Sequence, residues 1–173
     1  MKLKKFFFKS VNSTNKTAIR LIKKQTTNLI VISEIQKKGK GQRGKRWISK
    51  KGNLFTSILV KIDNKLTVNK ITQVNVKVIK KVIDSFININ SSIKLPNDIL
   101  IDNQKVCGIL QETIFKNNSK YLIIGIGINI VNKPIIKGYN TTFLENHSKK
   151  KINKIQVINK LKLEFEKIYK KQY

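Results

Sequence analysis

Lysine, glycine and amide side chains dominate the residues of this chain that could do chemistry. The stretch GKGQRGKRW, residues 39 to 47, sets a glycine, four residues, then Gly44 and Lys45, close to the spacing of a phosphate-binding P-loop. A P-loop places Ser or Thr after that lysine to hold magnesium, and it opens a helix onto the phosphates. Here Arg46 follows. After Trp47, Ile48 and Ser49 come a turn, Lys50-Lys51-Gly52-Asn53, and the β-branched and aromatic run LFTSILVKI, which reads as a strand. The stretch is therefore a cationic, glycine-rich loop joining two strands. Such a loop suits an anion, because glycines let backbone N–H groups approach closely while lysines and arginines neutralise charge.

Other chemistry is excluded by simple arithmetic. The chain has one histidine, His147, and one cysteine, Cys107, so neither a metal-ligand cluster nor a Ser-His-Asp arrangement can be assembled. His147 lies in a polar C-terminal stretch and is expected on the surface. Cys107 is expected to be a small buried hydrophobe. A lone cysteine also precludes an intrachain disulfide and fits a reducing compartment. What remains is electrostatic stabilisation of a phosphoryl or carboxylate group.

The elements that must position these residues form one expected domain, 1–173, since 173 residues with 40% hydrophobic content support one good core. A net charge of +28 and a pI near 10.3 would ordinarily point to nucleic acid. Nearly all of that charge is lysine, with Arg20, Arg43 and Arg46 the arginines. Lysine, isoleucine and asparagine are also what an AT-rich coding bias supplies. Solvated lysines carry little base-specific information, so charge alone is a weak pointer. The N-terminal MKLKKFFFKS has too short an apolar run for a secretion signal, and no segment is long enough to span a membrane. A cytoplasmic location is expected.

Along the chain, KKFFFKSV predicts a first strand. NSTNKTAIRLIKK predicts a helix that Asn12, Ser13 or Thr14 could cap, with Ala18, Ile19 and Ile22 on one side. NLIVISEI predicts a buried strand from which the cationic loop hangs. A longer helix is predicted over TVNKITQVNVKVIKKVIDSF, with Val68, Ile71, Val74 or Asn75, Val78, Val82 and Phe86 at helical spacing. SSIKLPNDILIDNQKVCGILQETIF predicts three strands, separated by a Pro-Asn-Asp turn and an Asp102-Asn103 turn. KYLIIGIGINIV predicts one more, in which Gly125 and Gly127 mark a bulge or a close ligand approach. Residues from Asn132 to about Asn153 read as loop, and KIQVINKLKLEFEKIYKK as a final amphipathic helix. Consecutive strands with hairpin turns and few interposed helices predict an α+β fold.

Four stretches, SVNSTN, EIQKKGKGQRGKRWISKKGNLF, KLPNDILIDNQKVCGIL and IIGIGINI, occur in that order between residues 5 and 131. Together they resemble the biotin protein ligase family, whose motifs run G-R-G-R-x-G-R-x-W, K-W-P-N-D, K-x-x-G-I-L and G-x-G-I-N. The resemblance implies the fold shared with class II aminoacyl-tRNA synthetase cores, a mixed and largely antiparallel sheet with helices mainly on one face. It also implies ATP and biotin as substrates with Mg2+, formation of biotinyl-5'-AMP, and transfer of biotin to a lysine of a biotin carboxyl carrier protein. By the same resemblance Lys105 would sit between the biotin carboxylate and the α-phosphate. Ser13, Thr14, Asn15 and Gln36 would meet biotin, and Gly39, Gly41 and Gly44 would let the loop fold over it. Gln42, Arg43 and Lys45 would serve the adenylate, and Trp47 would act as a lid. Asn97 and Asp98 would face the phosphates, Asp98 being also a candidate magnesium ligand. Gly108, Gly125, Gly127 and Asn129 would line the biotin floor and the nucleotide site.

The sequence departs from the family pattern at three places. Gln42 replaces the second arginine of the loop, Leu95 replaces the tryptophan of K-W-P-N-D, and Tyr173 closes the chain just past the last predicted helix. The expectation is a catalytic domain with neither an N-terminal helix-turn-helix nor a C-terminal SH3-like barrel, no DNA binding, and a monomer or a homodimer. Two alternatives stand beside it: a lipoate or octanoate enzyme of the same fold, some of which use a cysteine nucleophile, and a basic nucleic-acid-binding module.

Overall fold

In the computed structural model the described residues are 1–24, 28–63 and 67–170. The side chain of Val68 and residues 171–173, with Lys171 of the predicted last helix and the closing Tyr173, lie outside them. The chain runs β1 (Lys4–Val11), α1 (Thr14–Lys24), β2 (Leu29–Gln36), β3 (Leu54–Ile62), α2 (Val68–Asp84), β4 (Ser92–Lys94), β5 (Asp98–Ile101), β6 (Gln104–Lys116), β7 (Ser119–Ile128) and α3 (Lys154–Lys170). Short 3-10 turns occupy Gln42–Gly44 and Leu144–His147.

The seven strands form one sheet in the order β1-β2-β3-β7-β6-β5-β4. The β1–β2 pair is parallel, because α1 carries the chain back across the sheet, and every other pair is antiparallel. Two-residue turns explain the tight reversals. Asp102 and Asn103 have φ of 48° and 60°, and Asn117 and Asn118 have 46° and 57°, the left-handed values that such hairpins require and that Asn and Asp tolerate.

Both faces of the central strands are covered, which is why β3 is buried at every position but Lys61 and β7 from Tyr121 to Ile128. On one face, Ile58, Val60 and Ile62 of β3 and Ile124, Ile126 and Ile128 of β7 pack with Ile79 and Val82 of α2 and Leu161 and Phe165 of α3. On the other, Leu29, Val31, Leu59 and Ile123 pack against Ala18 and Ile22 of α1. The helices are thus two on one face and one on the other. The predicted stripe of α2 resolves in favour of Asn75. Its side chain is fully buried, donates to Gln111 Oε1 at 2.9 Å and accepts the Tyr169 hydroxyl at 3.0 Å, whereas Val74 is 43% exposed.

One expectation is overturned. His147 is not a surface residue: only 8% of its side chain is exposed, and its Nε2 lies 2.8 Å from Thr142 Oγ1. The turn Leu144–His147 is drawn in because Leu144 N–H bonds the Asn129 carbonyl and fully buried Leu144 joins the core. A polar neighbourhood in sequence concealed that anchor.

Candidate active site

The site lies on the α1 face of the sheet, beyond the N-terminal end of α1. Alternation decides this. Gly125 and Gly127 share a face of β7 with Ile123, which packs on α1, and Gly108 pairs directly with Gly127 across β6 and β7. The pairing of β6 and β7 is continuous through these glycines, so they mark a close approach and not a bulge. What approaches is Trp47. A Cβ on Gly127 would meet Trp47 Cε2 at 2.5 Å, and one on Gly108 would meet Trp47 Cζ3 at 2.5 Å. The indole occupies the space that side chains at Gly108 and Gly127 would fill.

Trp47 is delivered by the cationic loop, which is a small closed hairpin. Trp47 N–H bonds the Gly39 carbonyl at 3.0 Å, Gly41 N–H bonds the Lys45 carbonyl at 2.7 Å, and Lys40 and Arg46 form an antiparallel bridge. Arg43 at φ 52° and Gly44 at φ 76° turn the tip. Gly39 has no room for a side chain, since its Cβ would lie 2.6 Å from the Trp47 carbonyl oxygen. Gly39 and Gly44 therefore shape the loop. Gly41, Gln42, Arg43 and Lys45 line the cavity it overhangs.

That cavity has a volume of about 810 Å³, within the range of small-molecule sites. Of the residues that the family resemblance assigns to the site, all but Gly39 and Gly44 line it. At one end Thr14, first residue of α1, donates from its N–H and its hydroxyl to Gln36 Oε1, at 2.8 and 3.1 Å. Ser57 Oγ lies 2.7 Å from Thr14 Oγ1 and 2.5 Å from Asn15 Oδ1. Asn15 Nδ2 donates to the Leu110 carbonyl and to Glu112 Oε2 at 2.6 Å. The Asn15 amide is thereby consumed by the protein and positions its neighbours. Ser57 and Glu112 had no signal in the sequence, because each looks like an ordinary strand residue.

At the other end stands Lys105, with 18% of its side chain exposed. Its ammonium lies 2.7 Å from Asp98 Oδ1, an ion-pair distance without hydrogen-bond alignment. The Trp47 and Tyr139 rings flank the ammonium, each centroid 5.4 Å away. Tyr139 donates its hydroxyl to Asp98 Oδ2 at 2.8 Å. Burial first, then the hydrogen bond to Asp98 and that carboxylate's charge, push the Tyr139 phenol up to about 12, so it remains a donor at neutral pH. Asn97 locks the preceding turn by exchanging bonds with Ile109: its Nδ2 donates to the Ile109 carbonyl and its own carbonyl accepts the Ile109 N–H. Asn129 donates to the Thr142 carbonyl, and its buried Oδ1 has no hydrogen-bond partner among the described residues. An acceptor left so costs about 1–3 kcal/mol, a cost that a ligand donor would relieve.

The electrostatics are one-sided. No acidic residue occurs between Glu34 and Asp63, a span that includes the whole cationic loop, and Asp98 is the one carboxylate among the described residues lining the cavity. No group of three or more metal-ligating side chains occurs among the described residues. Cys107 points the other way, fully buried in the core on the α2/α3 face, and burial raises its thiol far above the usual range. Its place in the core, away from the cavity, argues against a nucleophilic role.

Fold and site define a class II synthetase-like α+β architecture, with a cavity between a cationic loop and the half-buried Lys105. Residues 7–129 match the biotin/lipoate A/B protein ligase family. The chain belongs to that family. It is 32% identical over 168 residues to the bifunctional ligase/repressor BirA of Bacillus spizizenii, an alignment covering 92% of this chain and 52% of that one. It is 31% identical over 116 residues to the human biotin–protein ligase, covering 62% of this chain and 16% of that one. Biotin protein ligase from Aquifex aeolicus in complex with biotin and ATP superposes with a TM-score of 0.80 at 25% identity, over 97% of this chain and 71% of that chain. The chain spans about half the length of the first two curated relatives it matches. No helix among the described residues is long and apolar enough to cross a membrane.

Proposed function

We propose that this chain is an ATP-dependent biotin protein ligase. A biotin carboxylate oxygen attacks the α-phosphorus of ATP, the bond to the β-phosphate oxygen breaks, and pyrophosphate leaves. A lysine amine of a biotin carboxyl carrier protein then attacks the acyl carbon of biotinyl-5'-AMP. The amide forms, AMP leaves, and the amine loses its proton to solvent.

The observation that carries this reading is the convergence, on one cavity, of the loop that ends in Trp47, the glycine floor and the half-buried Lys105. Two anions repel each other, and an ammonium on their shared side lowers that cost and stabilises the charge that develops in transfer. The Thr14, Ser57 and Gln36 network suits a neutral polar ring such as the ureido group, which needs a few fixed donors and acceptors. Exposed Arg43 and Lys45 at the loop tip suit the phosphates. Asp98 fits a magnesium ion that phosphates and water largely coordinate, since such ions take only one or two protein carboxylates. When bound with the nucleotide, that ion would neutralise phosphate charge. The reaction is placed in the cytoplasm, where Cys107 stays reduced.

ATP–pyrophosphate exchange with biotin, lipoate, octanoate or no acid tests the reading. Exchange with biotin alone, lowered about 1,000-fold in Lys105→Ala, is the expected result. Exchange with lipoate or octanoate would keep the fold and change the substrate. Silence with every acid, from folded protein, would turn attention to nucleic acid, for which binding that survives physiological salt is the mark.

A further inference from the structure

The segment 134–142 looks like plain loop in sequence, yet it grips Lys105 by both main chain and side chain. Lys105 N–H donates to the Asn140 carbonyl at 2.9 Å, and Thr142 N–H donates to the Lys105 carbonyl at 3.0 Å. Thr141 forms a parallel bridge with Lys105 and donates its hydroxyl to the Pro134 carbonyl at 2.6 Å. Tyr139, next in the same segment, reaches over the ammonium and binds Asp98 Oδ2, while Asp98 Oδ1 faces Lys105. On the outer side Lys94 lies 5.3 Å from the Tyr139 centroid.

From this geometry we propose that Tyr139 is a positioning residue: it orients Asp98, and through Asp98 it holds the Lys105 ammonium in the cavity between the Trp47 and Tyr139 rings. The inference rests on the ligase reading for its catalytic consequence, but the holding of Lys105 is independent of it. The chemistry is that of a hinged carboxylate. A carboxylate can rotate, and tying one oxygen to a phenol fixes its plane so that the other oxygen stays on the Lys105 side.

Two readouts test the proposal in the wild type, Tyr139→Phe, Asp98→Asn and the double variant. The first is the labelling rate of Lys105 by an amine-reactive acylating reagent, followed by peptide mass spectrometry with the exposed lysines as internal standard. Lys105 should label slowly in the wild type, about 5- to 10-fold faster in each single variant, and no faster in the double, since residues acting through one interaction are not additive. The second is biotin-dependent exchange. In Tyr139→Phe, kcat should fall about 10-fold with the biotin KM within 2-fold, as a misplaced group lowers turnover without removing binding. In the Asp98→Asn background the same change should cost less than 2-fold. Emission of Trp47, the only tryptophan, and the thermal midpoint verify that each variant keeps its fold.

Wild-type labelling in Tyr139→Phe, or equal effects in both backgrounds, would overturn the role. If the wild type shows no exchange with biotin, the ligase reading falls, and the labelling series still decides whether Tyr139 holds Lys105.

Discussion

The two faces of β7 come from one continuous segment and do opposite work. Leu122, Ile124, Ile126 and Ile128 enter the core beneath α2 and α3, where the neighbours are apolar and packing is tight. Ile123, Gly125 and Gly127 face α1 and the cavity, where the same strand gives up its side chains so that Asn15 and Trp47 can lie against the backbone. One face stabilises by filling space and the other functions by leaving it. A strand can do both because successive side chains point to opposite sides.

Four perturbations would break or sharpen that contrast. The largest effect is expected at Gly127→Ala on the site face. Its methyl group collides with the indole, so exchange activity should fall about 100-fold while Trp47 emission shifts toward that of a solvated indole, with only a small change in thermal midpoint. A midpoint collapse with unchanged emission would show that Gly127 serves the core instead.

Ile124→Ala, three residues earlier on the core face, should do the reverse. Stability should drop by about 2–5 kcal/mol in denaturant titration, while kcat at a temperature where the variant is folded stays within a factor of two or so.

A smaller effect is expected at Asp84, near the C-terminal end of α2. Burial pushes its carboxyl up, but hydrogen bonds from Lys80 and Ser91 and the Lys80 charge outweigh that, leaving it below the ordinary 3.8. A lowered folded value means the stabilisation is present above the unfolded value and disappears as pH falls through the folded one. Asp84→Asn should therefore cost about 1 kcal/mol at pH 7, and the gap to wild type should close below the ordinary carboxylate range. A gap that persists in acid would assign the loss to packing.

The smallest change belongs to Cys107→Ala. Its thiol faces the core and not the cavity, so exchange should be unaltered and stability should fall by about 1 kcal/mol. Loss of activity in a folded variant would reinstate a thiol mechanism.

Much of the fold was legible because its signals are local. The strand Lys4–Val11 and the strand Leu54–Ile62 fall where their β-branched and aromatic runs predict them. The Asp102-Asn103 reversal follows from two residues that tolerate positive φ. The buried stripe of α2 was ambiguous between Val74 and Asn75, since spacing alone cannot say that a tyrosine 94 positions later will bond the asparagine.

What the amino-acid sequence determined by itself is the list of elements and the glycines at which backbone must be approached or turned; Lys105 was singled out only by the resemblance of the motif around it. Each of these depends on a residue and its immediate neighbours. Tertiary structure alone decided which parity of β7 meets Trp47, that His147 is drawn inward, and that Ser57 and Glu112 brace Asn15. It also decided that Tyr139 meets Asp98 from 41 residues away. Those pairings depend on sheet register and on a loop folding back across the site, and no local propensity encodes where two distant side chains come to share a charge.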